Sequence, residues 1–185
     1  MSASDKAPTQ VELPGEPDPD PAWRGLLLVN DWIRHGDAKI GVTLALSGAA
    51  GAILFNLVKG TKDPDVFLKI AGVATALVLT YTAFCAVVGL IPQTRIRGKR
   101  ESEAFTSLLF YAHIAQGWKG QPKEFSYALA RLTTDKQKLT LELGEQMWAN
   151  AKVAHRKFTW ADRAVKGLAI SLLLLAITSI ARLGS

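Results

Sequence analysis

The chain has 185 residues, 49% of them hydrophobic and 21% charged, with a formal net charge of +6 at pH 7. This length allows one domain or a small membrane protein. The single cysteine, Cys85, excludes an intrachain disulfide.

The first 21 residues contain five acids, one lysine and five of the eight prolines. Such a segment buries too little apolar surface to fold, so we predict a disordered acidic tail over residues 1–21. Residues 22–58 contain no proline, and residues 40–58 carry no charge. About 20 apolar residues cross the hydrocarbon of a bilayer. We therefore predict one long helix that ends in a first membrane span.

Two further apolar runs complete the predicted membrane part. Residues 70–91 are uncharged, and with the first run they predict a transmembrane hairpin within residues 22–92. The third run, 167–181, has fifteen residues between Lys166 and Arg182. It is short for a span unless these two long side chains extend to the interface, and the alternative is a buried helix of a soluble domain. Its residues are apolar all round, which favours a third span over 165–183.

Residues 93–164, between the second and third spans, are predicted to be helical. The segment 107–115 reads as a short strand or a helix turn, and 124–132 as a short helix. Thr134 with Gln137 resembles a capping box, so a helix is expected to start there and to continue through the third span. The predicted fold class is an all-α membrane protein with about three transmembrane helices. Its long juxtamembrane helices are expected to form a cytoplasmic helical bundle.

Basic residues predict the orientation of the chain. Residues 93–166 hold fourteen Lys and Arg against seven acids. The positive-inside rule places this region and the N-terminus in the cytoplasm. Four basic residues directly after the second run are expected to contact anionic lipid head groups, so the net charge requires no nucleic-acid partner: Arg95, Arg97, Lys99 and Arg100.

Polar side chains form a stripe on each of the two long helices. At 100° per residue, the first stripe lies between apolar neighbours, Leu26, Leu27 and Ile33, and away from the charged solvent side. Leu139, Leu143, Val153 and Trp160 flank the second. Both stripes are therefore predicted to be buried. The first stripe consists of Asn30, Arg34 and Asp37, and the second of Gln146, Asn150 and Lys157.

Buried polar groups need partners, and two interpretations meet that need. In one, the stripes pair with each other: Asp37 with Arg34 or Lys157, and Asn150 with Gln146 or Asn30. Such residues set the register of packed helices. In the other, the six residues bind a small polar ligand, with Arg34 and Lys157 for an anion and the amides for a base edge.

Catalytic and metal sites are not indicated by the sequence. The three histidines have no ligand spacing to one another or to acids, and no nucleophile motif or phosphate-binding glycine loop is present. We therefore expect no enzyme activity, no catalytic residues, no metal and no cofactor.

The sequence resembles the transmembrane effectors of bacterial Pycsar antiphage systems. The likeness rests on NDWIRHGDAKIGVTLALSGA, on SLLFYAHIA, on the late helix with Gln146, Asn150 and Lys157, and on the order of the elements, over about residues 22–183. It implies a multi-pass protein of the bacterial inner membrane. It also implies a partner cyclase that makes cyclic UMP or cyclic CMP on infection. The effector would sense this ligand and impair the membrane, so that the infected cell stops growing or dies.

Two other expectations accompany this resemblance. Small residues in the first span, at positions 47, 48, 51 and 52, favour packing within the bundle or a homo-oligomer. The alternative function is a membrane anchor or scaffold that senses no ligand, and whose cytoplasmic bundle binds a protein partner.

Overall fold

The computed structural model describes residues 16–60, 65–91 and 107–183. Within that part of the chain 90% of the residues are helical and none is in a strand, which confirms the predicted all-α class. The helices are α1 (Pro19–Lys59), α2 (Val66–Leu90), α3 (Tyr111–Gly117), α4 (Pro122–Thr134) and α5 (Lys136–Leu183).

The first long helix is confirmed, and it starts slightly earlier than predicted. Pro19 occupies the first position of α1, where a missing N–H costs no hydrogen bond. The Asp18 carboxylate accepts from the N–H of Asp20 at 3.1 Å, which caps the helix. The last residues of the predicted tail are therefore helical, while residues 1–15 lie outside the described part.

The second long helix is also confirmed, but its cap is Asp135 and not Thr134. The N–H of Lys138 donates to the Asp135 carboxylate at 3.0 Å. The hydroxyl of Thr134 instead donates to the carbonyl of Arg131, within the last turn of α4. The N–H and ammonium of Lys138 hold the pKa of Asp135 below its usual range. The capping-box prediction was wrong because both positions carry capping side chains and α4 takes the first.

Between α2 and α5 the described residues form two short helices. The ambiguous segment 107–115 is a turn followed by α3, with no strand in it, and the short helix predicted over 124–132 lies within α4. Gly120, with φ of +76°, lies in the turn between them. That left-handed conformation favours glycine.

The chain divides into two compact units, and the division falls within α1 and within α5. The described residues of the first unit are 16–26 and 107–147, and those of the second are 27–60, 65–91 and 148–183. In the first unit all four fully buried side chains are leucines, which pack in one cluster: Leu26, Leu132, Leu139 and Leu143.

The second unit is a three-helix arrangement. Near one end of its helices Ile40 of α1 packs with Cys85 of α2 and Ala161 of α5. Near the other end Leu54 packs with Leu79 and Leu175. From the first cluster to the second, residue numbers rise along α1 and α5 and fall along α2. The helices α1 and α5 therefore run parallel, and α2 runs antiparallel to both.

The buried polar side chains of the second unit are all hydroxyls. Each donates to a carbonyl of its own helix, three or four residues earlier, at 2.7–2.8 Å. This bond satisfies a hydroxyl inside an apolar environment. The six are Thr43, Ser47, Thr75, Thr82, Ser171 and Thr178.

The candidate spans of the second unit have an apolar outer surface, as lipid-exposed helices must, while exposed charges such as Arg34 and Lys166 lie outside the uncharged runs. The helices α1, α2 and α5 are long and apolar enough to cross a membrane, so the short third run belongs to a helix of sufficient length. Large side chains on these helices point outward with more than half of their area exposed, which identifies a membrane protein. Among them are Phe55, Ile70, Leu77, Phe84, Leu173 and Ile180.

Candidate functional site

Two polar pairs join α1 and α5 inside the second unit. The Asn150 side-chain amide donates to the Asn30 carbonyl oxygen at 2.8 Å. The Lys157 ammonium donates to the Asp37 carboxylate and forms an ion pair with it. Each pair joins residues 120 positions apart, and the pairs are seven residues apart on both helices. This repeat at two-turn spacing fixes the register of two parallel helices.

The two side chains of the ion pair differ in solvent exposure. The Lys157 side chain is 12% exposed and the Asp37 side chain 40% exposed. Gly36 is buried beside this pair, and a Cβ there would lie 3.5 Å from the Cβ of Lys157, an ordinary van der Waals distance. An ammonium this enclosed needs a counter-charge, because a buried charge without a partner is strongly destabilising. Asp37 supplies that charge.

Arg34 does not lie on the buried face, so the prediction that its side chain is buried was wrong, while its ligand role stays a prediction. Its side chain is exposed, as is Leu27, although both were expected at or beside a buried stripe. The buried face of α1 instead follows Val29, Gly36 and Ile40. Small residues allow the closest approach of another helix, so the packing face centres on Gly36. Asn30 and Asp37 lie at its edge and Arg34 beyond it.

Five predicted site residues remain, Gln146 and the four basic residues that follow the second apolar run. Gln146 is half-buried and falls in the first unit, while the other residues of its stripe belong to the second. The four basic residues predicted to contact lipid, Arg95, Arg97, Lys99 and Arg100, lie outside the described residues. Of the six candidates, Asn30, Asp37, Asn150 and Lys157 form the two pairs between α1 and α5.

The arrangement matches the interpretation in which the stripes pair with each other. A ligand that bound here would have to replace an existing partner, and a phosphate is suited to replace the Asp37 carboxylate on Lys157. A ligand role for these residues stays a prediction. Within the described ranges no group of three His, Cys, Asp or Glu side chains is placed to hold a metal ion.

Sequence reasoning missed a cleft in the first unit. The cleft has a volume of about 630 Å³ and is bounded by α4, the turn before it and the first turn of α5. The signal was present in the helix 122–134, where Glu124, Tyr127 and Arg131 recur at helical spacing on one face. Nothing in the sequence showed that Trp118 and Lys138 would line the same cleft as that face.

Comparison with known proteins gives one consistent result. A family model described as the Pycsar effector protein domain matches residues 21–183. The Pycsar effector protein PtPycTM of Propioniciclava tarda is 39% identical over 145 residues, which cover 78% of this chain and 70% of that protein. No solved structure matches the chain.

Proposed function

Because the chain belongs to the Pycsar effector family, we propose that it is the membrane effector of an antiphage system, activated by a cyclic pyrimidine mononucleotide. Membership itself supports the antiphage effector role and a cyclic-nucleotide signalling context. The finer proposal is that a partner cyclase makes cyclic UMP or cyclic CMP during infection. The active effector then impairs the inner membrane, and the infected cell stops growing or dies.

This proposal rests on the two polar pairs that connect α1 and α5. Both helices contain a candidate span, and the pairs Asn30–Asn150 and Asp37–Lys157 set the register in which they run. A change in that register alters the packing of two spans without an intermediate element. A ligand shifts such an equilibrium only by binding the active arrangement more tightly than the resting one.

Orientation and assembly are part of the same proposal. The N-terminus and residues 93–164 lie in the cytoplasm, where the nucleotide is made, and Arg95, Arg97, Lys99 and Arg100 contact anionic head groups. The first span supports self-association, because a Cβ at Gly41 or Gly48 would meet nothing within 4 Å. Such small exposed positions let helices of separate copies pack closely. No catalytic step is assigned to the chain.

Dye-loaded liposomes test the proposal directly. We expect the inserted full-length protein to release dye when cyclic UMP or cyclic CMP is added, and not when cyclic AMP is added. In the same assay Asp37→Ala and Lys157→Ala should abolish nucleotide-dependent release while the protein still inserts. Removing either charge leaves the other without its partner and alters the α1–α5 register.

The exposed pair Asp162–Lys166 on α5 provides a matched control. Its side chains are 60% and 72% exposed, and its N–O distance is 2.7 Å. An ion pair of this kind contributes little, so Asp162→Ala and Lys166→Ala should leave release unchanged. Loss of insertion in the Asp37 and Lys157 variants would assign those residues a structural role only. Absence of release from correctly inserted wild-type protein would favour the scaffold that binds a protein partner.

A further inference from the structure

The cleft of the first unit has the size and the lining of a small-ligand site. Its volume of about 630 Å³ falls within the roughly 300–1,000 Å³ range of such sites. Leu108 and Leu132 form an apolar part of the lining. Leu132 is buried in the leucine cluster and Leu108 packs against that cluster, so this part of the cleft is held by the core of the unit.

Two aromatic side chains line the cleft. Tyr127 is 74% exposed, so a large part of its ring is open to a ligand. Trp118 is held by an edge contact with Phe125, with 5.9 Å between ring centroids. The Trp118 indole N–H is buried and has no acceptor in the described part of the chain. Because that nitrogen is itself buried, Trp118 offers a ligand in the cleft its ring and not its donor.

The charges of the cleft are separated along α4. Glu124 and Arg131 are seven residues apart on the same face, about 10 Å along the helix, with Tyr127 between them. Lys138, from the first turn of α5, adds a second cation. The ammonium of Lys138 lies 3.0 Å from the Asp135 carboxylate. The cleft therefore presents one acid, an aromatic centre and two cations.

We propose that this cleft binds the activating cyclic pyrimidine mononucleotide, an inference that rests on the proposed function. Arg131 and Lys138 bind the phosphate, which is a single negative charge. Tyr127 and Trp118 stack on the base, since every base offers a π-face to an aromatic ring. The Glu124 carboxylate, which only accepts hydrogen bonds, receives an N–H from the edge of the pyrimidine.

This location differs from the polar pairs of the second unit, where Asn30, Asp37, Asn150 and Lys157 already have partners. Binding in the cleft breaks neither of those pairs. It also acts on α5 directly, because a phosphate at Lys138 competes with Asp135, whose carboxylate caps that helix. The third candidate span belongs to the same helix.

Calorimetric titration of cyclic CMP and cyclic UMP into the full-length protein in detergent micelles tests the site. Tyr127→Ala and Arg131→Gln should each raise Kd about tenfold or more for the nucleotide that binds, because stacking and charge-assisted bonds are lost. Both side chains are exposed, so these variants should keep the fold.

Two exposed positions outside the cleft provide controls. Lys123→Gln removes a neighbouring charge on α4, and Tyr111→Ala removes an exposed ring on α3. Each should change Kd less than twofold. Asp37→Ala and Lys157→Ala should retain binding while they lose nucleotide-dependent dye release.

The combined results separate the site from the function. Weakened binding in the Tyr127 and Arg131 variants, with normal binding in the controls, supports the cleft even if no dye is released. Unchanged binding in both cleft variants overturns it, and loss of binding in Lys157→Ala would then place the ligand at the polar pair. If the wild type releases dye and nucleotide binding is unchanged in the cleft variants, the proposed function stands and the cleft is not the binding site. Absence of binding of either nucleotide to the wild type overturns the cleft proposal.

Discussion

The cores of the two units are made of different kinds of side chain. Among the described residues of the first unit, the buried side chains are four leucines. The second unit buries many more residues, and most of them are small: alanine, glycine, serine, threonine and a cysteine, with a few larger aliphatic side chains. The six buried polar residues of the described chain all belong to the second unit.

This contrast follows from the solvent that each unit requires. Burying leucine is favourable when the alternative is water, which makes the leucine cluster typical of a water-exposed unit. In lipid the alternative is as apolar as leucine itself, so helices associate through close approach of small residues and through polar contacts. The same chain therefore contains two packing schemes, and substitutions should separate them.

The largest effect is expected from Leu143→Ala, which removes a side chain with 0% exposure from the leucine cluster. Such a truncation costs about 2–5 kcal/mol because it loses burial and leaves a cavity. Hydrogen–deuterium exchange should show faster exchange of the first-unit amides and little change in the spans. Leu141→Ala, at a position 56% exposed on the same helix, is the control. Equal effects of the two substitutions would contradict a leucine core.

The next effect concerns close approach in the second unit. A Cβ at Gly167 would lie 2.5 Å from the Thr82 hydroxyl oxygen and 3.4 Å from the Thr82 Cβ. Thr82 is fully buried, and its hydroxyl donates to the carbonyl of Val78. Gly167→Ala should therefore destabilise the protein by about 1–3 kcal/mol, measured as thermal unfolding in micelles.

Gly48→Ala is the comparison for that substitution, because a Cβ there would meet nothing within 4 Å in the same chain. Alanine is the better helix former, so this variant should be neutral or slightly more stable in a monomeric micelle sample. A loss of stability as large as that of Gly167→Ala in the monomeric sample would contradict the open space beside Gly48.

A smaller effect is expected from the hydroxyl contact between α2 and α5. The oxygens of Thr75 and Thr178 are 3.2 Å apart, yet each hydroxyl also donates to a carbonyl of its own helix. One hydroxyl has one proton, so these bonds compete. A double-mutant cycle with Thr75→Val and Thr178→Val should give a coupling of about 0.6 kcal/mol or less. A coupling of several kcal/mol would mean that the spans are joined by polar bonds.

The smallest effect is expected at the start of α5. The lowered pKa of Asp135 means that its ionised form is favoured in the folded state. This contribution is present above the unfolded-state pKa and is lost as the pH falls through the folded-state pKa. The protection factors of the first-turn amides of α5, which correct for the pH dependence of intrinsic exchange, should fall on acidification. They should fall more than in Asp135→Asn, which keeps a capping side chain without the titratable charge. Equal pH dependence in both proteins would contradict this origin.

Much of the fold was predictable because it depends on local composition. Uncharged runs identified the three spans, and the absence of proline from residues 22–58 identified the long first helix. The polar stripes were also visible from helical spacing. Their partners were not, because Asp37 had two possible cations and the choice of Lys157 required the register of α1 against α5.

Two other features required information that a single helix does not contain. A helical wheel gives the angle of Arg34 but not the point at which another helix approaches. The buried face of α1 is centred on Gly36 and leaves Arg34 exposed. The cleft requires Trp118, Arg131 and Lys138 to converge from separate elements. Sequence spacing therefore predicted which residues share a helix face, and tertiary packing decided which helix faces contact one another.

The hydroxyls buried between the spans bear on how freely the spans can rearrange. Because each donates to a carbonyl of its own helix, it keeps that bond when neighbouring helices slide, rotate or separate in lipid. A rearrangement then leaves no orphaned donor in the hydrocarbon, where such a group costs several kcal/mol. The barrier to reorganising the bundle then comes from the packing of its small residues and from the Asn30–Asn150 and Asp37–Lys157 pairs, and not from the buried hydroxyls.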